Sequence, residues 1–291
     1  MSKPVLVYGV GVAGAATINF LLRQNIDVIA ADDRLNETKQ LELSKLGIEV
    51  VTAPSPDALR DLVASSEYVA PAPGIPETHP VILEALTQKK SVKTELDIAY
   101  EWESQRIGGA RPMLAVTGTD GKTTTVMMAE AILQAAGHSS IACGNTEVPL
   151  VEALDMAVDS FVVEASSFRL AFIESFRAEA SAWLNFDADH LDWHKSMKSY
   201  EQAKARLWRN VVADDTAIGV SGENAVMRHL QNVACRRRVV GGSGDYRTID
   251  GILSGPQGVI IAESDLSRSL PHDVVNALVA SALCIESGLA T

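Results

Sequence analysis

A chain of 291 residues, 47% hydrophobic and 21% charged, has enough apolar material for real cores and is long enough for two domains. Its net charge of −12 argues against a nucleic-acid or anionic-membrane surface, since either would repel it. Cys143, Cys235 and Cys284 lie far apart with no Cys-x-x-Cys pair, which leaves a zinc ribbon or disulfide scaffold unsupported and buried, reduced thiols expected.

The N-terminus enters a strand-like run directly, without a basic segment and signal-type apolar core. No stretch reaches the roughly 18 uninterrupted apolar residues of a membrane span, so a cytoplasmic protein is expected. Strands are predicted over 4–8, 27–31, 48–51 and 67–70, with helices over 13–24, 36–46 and 80–87. That alternation means a parallel sheet with helices on its faces. The stretch 105–112, QRIGGARP, carries two glycines and a proline and reads as a linker. A second alternation follows: strands over 113–117, 139–142, 160–164 and 180–186, with helices over 122–136 and 200–210. Further strands are expected at 216–220 and 238–240, a hairpin over 251–254 and 258–261, and a closing helix over 272–288. The fold class is therefore α/β, with a Rossmann-like first domain over 1–108 and a phosphate-loop domain over 109–291.

Residues 9–14, GVGVAG, fit G-x-G-x-x-G between a strand and a helix, where glycines let a phosphate approach the helix N-terminus. Asp32, ending the next strand, stands where dinucleotide folds place a ribose-binding carboxylate. An NAD site is one reading. Nothing downstream resembles a dehydrogenase site, so a nucleotide-bearing substrate is the other, with Arg34 facing a base or phosphate. Gly74, in APAPGI, would admit that ligand, although the loop also reads as a proline-braced turn.

Residues 116–125, VTGTDGKTTT, join a strand end, a glycine loop and a helix start. Gly118 and Gly121 let successive N–H groups point at an anion, Lys122 supplies positive charge, and Thr123 a hydroxyl for Mg²⁺. A nucleoside triphosphate is the expected ligand, although the loop is shorter than G-x-x-x-x-G-K-[ST]. Residues 160–169, SFVVEASSFR, place Glu164 at a strand's C-terminal end, where it can hold Mg²⁺. Residues 185–194, NFDADHLDWH, read alone as a solvated acidic loop with two ordinary histidines. Beside a phosphate loop, His190 becomes a candidate second-metal ligand. Lys204, taken alone, reads as a surface charge.

Taken in order, GTDGKTT, VEASSF, DHLDWH and YEQAK resemble the ATP-dependent Mur ligases of peptidoglycan synthesis. The short N-terminal domain, with GVGVAG and ADDR, looks most like the branch that adds D-glutamate to UDP-N-acetylmuramoyl-L-alanine. The resemblance implies an acyl phosphate made from ATP and then attacked by the amine of D-glutamate. It also implies that Gly118, Thr119, Asp120, Gly121, Lys122, Thr123 and Thr124 cradle ATP, with Asn276 at the adenine. Thr123 and Glu164 would hold one Mg²⁺, and His190 a second together with Lys204, which is carbamylated by CO₂ in this family. Lys122, Glu164, His190 and Lys204 would be the catalytic set. At a pKa of about 10.4 fewer than one lysine in a thousand is neutral at pH 7, so burial or a metal would have to favour the modification. Gly11, Val12, Ala13, Asp32, Arg34, Gly74, Asn145 and Ser166 would bind the UDP-sugar. A monomer is expected.

Asp120, Glu147, Arg169 and Asp273 depart from the residues the family usually shows there. Glu147 is expected to bring negative charge to a phosphate-rich cleft. These ligases also carry a third domain that the sequence to Thr291 does not include, so a portion that binds nucleotide and UDP-sugar but ligates weakly is expected. A Mur-type ligase for another acid and a degenerate binding module are the alternatives. Retained Lys122, Glu164, His190 and Lys204 argue against the module.

Overall fold

The computed structural model describes residues 3–35 and 37–290. Its first part alternates β1 (Val5–Tyr8), α1 (Val12–Arg23), β2 (Val28–Asp32), α2 (Glu37–Lys45), β3 (Val50–Thr52), α3 (Pro56–Ser65) and β4 (Val69–Pro71), then α4 (Pro80–Thr87) and α5 (Glu95–Glu103). The strands pair in parallel in the order β3-β2-β1-β4. Every residue of β1 is buried, as a strand covered on both faces requires. Gly14 lets α1 lie against the turn after β1: a Cβ there would meet the Gly9 carbonyl oxygen at 1.8 Å.

The second part contains β5 (Met113–Thr117), α6 (Lys122–Ala135), β6 (Ser140–Gly144), α7 (Leu150–Ala153), β7 (Ser160–Glu164), α8 (Ser167–Leu170), β8 (Ala180–Trp183) and α9 (Met197–Ala205). It continues with β9 (Thr216–Val220), α10 (Asn224–Leu230), β10 (Arg236–Val240), β11 (Arg247–Ile249), β12 (Ile252–Gly255), β13 (Gly258–Ala262) and α11 (Pro271–Glu286). Strands β10-β9-β8-β5-β7-β6 form a six-stranded parallel sheet, and β11-β12-β13 a small antiparallel one. Helices α6 and α11 cover one face, where Val126, Ala129 and Leu133 share a core with Leu278, Val279 and Leu283. Among the described residues no helix is long and apolar enough to cross a membrane.

Several expectations change. Asn36, expected to open a helix, lies outside the described residues. The helix expected from residue 200 begins at Met197, because Ser196 and Ser199 form a reciprocal capping box. Helices α3, α5, α7, α8 and α10 and strand β11 have no counterpart in the sequence prediction. Helix α3 is set by local chemistry, with Pro56 in its first turn and the Ser55 hydroxyl accepting from the Ala58 N–H. Cys143 and Cys284 are buried as free thiols, but Cys235 is only half-buried.

Helix α5 is held through its carboxylates. Asp97 is fully buried and accepts N–H bonds from Glu174, Ser175 and Phe176 at 2.9–3.1 Å, plus the Ser175 hydroxyl. Glu103 takes a two-pronged bond from Arg111, whose guanidinium also reaches the Leu154 and Met156 carbonyls. Burial raises the Asp97 pKa, and the N–H bonds offset part of that rise. Asp97→Ala would leave those N–H groups without a partner and is expected to cost about 2–4 kcal/mol in urea unfolding. Asp97→Asn, which keeps one acceptor oxygen, is expected to cost less.

Candidate functional site

Strand β5 ends at Thr117, and residues 118–121 turn the chain into α6. Gly121 makes that turn at φ +80°, and a Cβ there would also meet the Asn276 side chain at 2.7 Å. Asn185, from the loop after β8, staples the turn: its Oδ1 accepts from the Thr119 and Asp120 N–H groups at 2.8 and 2.9 Å. Lys122 folds back so that Nζ donates to the Thr119 carbonyl at 2.6 Å. Thr123 donates to Glu164 Oε2 at 2.6 Å, while Asn145 Nδ2 donates to Glu164 Oε1 at 2.9 Å.

Residues 119–123, Asn145 and Glu164 line a cavity of about 360 Å³ with Thr124, Ser166, Ser167, Phe168, His190 and Lys204. Lys204 is 1% exposed and donates to the Gly118 carbonyl. Burial, and then repulsion from Lys122, pushes its pKa down to about 7. Expecting a surface charge was therefore wrong, because α9 turns this residue inward over the phosphate loop. Burial likewise lowers Lys122, against the pull of Glu164, Asp120 and Asp189. His190 adopts φ +51°, and its Nε2 lies 3.2 Å from Asp189. Among the described residues no group of three His, Cys, Asp or Glu is placed to hold a metal by itself. The donors of Thr123, Glu164 and His190 do share one cavity wall, which suits a hard cation completed by water and phosphate oxygens.

The candidate residues of the first part gather elsewhere. Gly11, Val12, Asp32 and Arg34 line a cavity of about 390 Å³. Both Asp32 oxygens accept backbone bonds, from Val10 at 2.7 Å and Arg34 at 2.8 Å, so this carboxylate shapes the glycine turn. Ala13 and Gly74 line neither cavity, whereas Asn145 and Ser166, grouped in the sequence with Gly11, lie beside the phosphate loop. Gly118 is buried behind that loop, and Asn276 packs against Gly121. Glu147 is exposed and stays off the cavity wall, which corrects its expected place in the cleft. Asp273 is buried and is met by Arg268 at 3.4 Å.

The sequence missed how the two parts are pinned beside the cavity. Trp193 donates to the Pro73 carbonyl at 2.9 Å. His194 is buried, with Nδ1 3.2 Å from Glu77 and Nε2 2.9 Å from the Ser167 hydroxyl. Burial raises the Glu77 pKa, but the hydrogen bond and charge of His194, with the N–H and charge of Lys195, together outweigh it and the net shift is downward. The spacing of DHLDWH gave no sign that His190 is partly exposed and His194 enclosed.

Fold and loop together define an α/β protein with a phosphate loop at the edge of a parallel sheet. Residues 116–284 match the Mur ligase middle domain and residues 3–94 the Mur ligase MurD-like, N-terminal domain. The chain belongs to the Mur ligase family. It is 36% identical to a UDP-N-acetylmuramoylalanine–D-glutamate ligase of Frankia casuarinae, across 98% of this chain and 61% of that protein. Its likeness to the ligase of the same name from Mycolicibacterium vanbaalenii is 35%, across 96% and 58%. It thus spans about three fifths of the length of these curated relatives. Among solved structures it resembles the Neisseria meningitides UDP-N-acetylmuramate:L-alanyl-gamma-D-glutamyl-meso-diaminopimelate ligase, with a TM-score of 0.61 at 18% identity over 99% of this chain and 94% of the other. The Thermotoga maritima UDP-N-acetylmuramate–alanine ligase MurC gives 0.54 at 20%, over 98% and 65%. At these identities the structures speak for the fold alone.

The Lys204 environment sets a pH dependence. The unfolded chain keeps this proton up to the ordinary 10.5, while the folded chain releases it near 7. Unfolding therefore takes up a proton across that window, and the folded state gains stability as pH rises through it. Relative to Lys204→Met, the unaltered chain is expected to gain a few kcal/mol between about pH 7 and pH 10 in CO₂-free buffer, on the order of 1.4 kcal/mol per unit. A flat difference in denaturant unfolding contradicts a depressed Lys204.

Proposed function

We propose that the chain is the nucleotide-binding portion of an ATP-dependent ligase that adds D-glutamate to UDP-N-acetylmuramoyl-L-alanine in peptidoglycan precursor synthesis. The observation that carries this reading is the single cavity shared by the phosphate loop, Glu164, His190 and a buried Lys204 whose pKa is pushed down to about 7. The names of the curated relatives supply the substrate pair. The proposal divides the chain near Gly108, with a UDP-sugar-binding domain over 1–108 and an ATP-binding domain over 109–291.

In this reading the N–H groups and Lys122 hold the ATP phosphates, with Asn276 behind the loop at the base. Thr123 and Glu164 would hold one Mg²⁺ and His190 a second, with Lys204 joining as a carbamate. Mg²⁺ would neutralise charge as the γ-phosphoryl passes to the substrate carboxylate. The D-glutamate amine then displaces phosphate from the acyl phosphate to form the amide. Burial helps Lys204 here: with a pKa of about 7, roughly half of it is a neutral amine at pH 7, the form CO₂ requires. Gly11, Val12, Asp32 and Arg34 offer a cavity for the nucleotide end of the UDP-sugar. Asn145 and Ser166 would meet its reacting end, and Ala13 and Gly74 would stand at the flanking turns. A cytoplasmic monomer completes the proposal.

Calorimetric titration with UDP-N-acetylmuramoyl-L-alanine, beside UDP and NAD, tests the substrate. Binding tighter than UDP, and no binding of NAD, is expected. Arg34→Ala should weaken it by about tenfold or more, the worth of one charge-assisted hydrogen bond. A folded chain that ignores the sugar nucleotide overturns the D-glutamate-ligase reading.

A further inference from the structure

Arg169 departs from the family pattern, and its surroundings give it a task. It lies in α8, 5% exposed, with its guanidinium divided between two partners. Its Nε donates to Glu95 Oε2 at 3.0 Å, and a terminal nitrogen donates to Asn145 Oδ1, also at 3.0 Å. Glu95 is itself 4% exposed and accepts the Val151 N–H at 3.1 Å, so the anchor of this arginine does not wander. Beyond Asn145 the chain of bonds runs to Glu164 Oε1.

Chemistry fixes the direction of that chain. A guanidinium has donors and no acceptor, so Asn145 must turn its oxygen to Arg169 and its amino group to Glu164. A glutamine at 169 could donate or accept, and Asn145 would be free to turn over. The two oxygens of Glu164 are then unlike. The Asn145 amino group can only donate, so Oε1 stays engaged whatever enters the cavity. Oε2 is held by the Thr123 hydroxyl, which can rotate and offer a lone pair instead.

We propose that Arg169 is a positioning residue that, through Asn145, makes Glu164 a one-oxygen ligand for a divalent cation at the phosphate loop. This rests on the proposed nucleotide and Mg²⁺ reading of the same cavity. It goes beyond that reading by tying the aim of the carboxylate to Glu95, at the start of α5. Hydrogen-bonded partners of this kind orient ligating groups, and losing one typically weakens metal binding about tenfold to a hundredfold.

The test compares the affinity of the whole chain for Mn²⁺·ADP with its affinity for ADP in chelator, by calorimetry. The ratio isolates the contribution of the metal. Arg169→Met is expected to cut that ratio by about tenfold while leaving metal-free ADP binding unchanged, and Asn145→Ala to cut the ratio by as much. Combined, they should cut it no further than either alone, because Arg169 acts through Asn145. The pair Glu95→Gln with Arg169→Met removes both charges together, leaves no buried charge without its partner, and should give the same loss. An unchanged ratio in the Arg169 variants, effects that multiply, or an equal loss of metal-free binding would each overturn the assignment. If the unaltered chain binds ADP but gains nothing from Mn²⁺, this inference fails alone. If it binds neither form, the nucleotide reading fails with it.

Discussion

Parallel register is the constraint on which the site depends. Strand β5 pairs with β7 on one side and β8 on the other, so all three deliver their C-terminal ends to one edge. Val116 stands opposite Glu164, Thr117 opposite Trp183, and Gly144 opposite Glu164 from β6. The phosphate loop, the carboxylate, Asn145 and Asn185 therefore emerge side by side. Because side chains alternate along a strand, a slip of one residue in β7 would turn Glu164 to the opposite face and empty the site of its carboxylate. Full burial of β5 and β7 is what forbids the slip.

On that edge the charges are arranged by burial rather than by number. The chain is acidic overall, yet two lysines, one buried and one half-buried, line the cavity beside Glu164. Water is largely excluded from Lys204, so burial first, and then repulsion from Lys122, drives it toward the neutral amine. The Gly118 carbonyl still gives that amine an acceptor. The same low-dielectric setting makes any anion entering the loop a strong partner for Lys122.

Much of this was legible in the sequence because it is local. Met113–Thr117, Ser160–Glu164 and Thr216–Val220 are short apolar runs between polar turns, and all three form strands. The glycine–lysine loop is read from adjacent residues, as is Glu164 at a strand end. Helix α5 was not legible. Glu95, Asp97, Glu101 and Glu103 look like a solvated segment, and partners far along the chain engage the two most deeply placed at its start: Arg169 for Glu95, residues 174–176 for Asp97. Taken alone, Lys204 reads as a surface charge and His194 as an ordinary histidine for the same reason, since no periodicity reports what lies across a fold. The split between two cavities, which moves Asn145 and Ser166 away from Gly11, also needed the structure.

The central claim is that the loop over 118–124 holds a nucleoside triphosphate with its lysine on the phosphates. Calorimetric titration of the unaltered chain with Mg·ATP, beside Lys122→Ala of confirmed fold, tests it most directly. Saturable one-to-one binding that the variant weakens by at least about tenfold is the predicted result. Absence of binding, or binding that survives loss of the Lys122 ammonium undiminished, would contradict it.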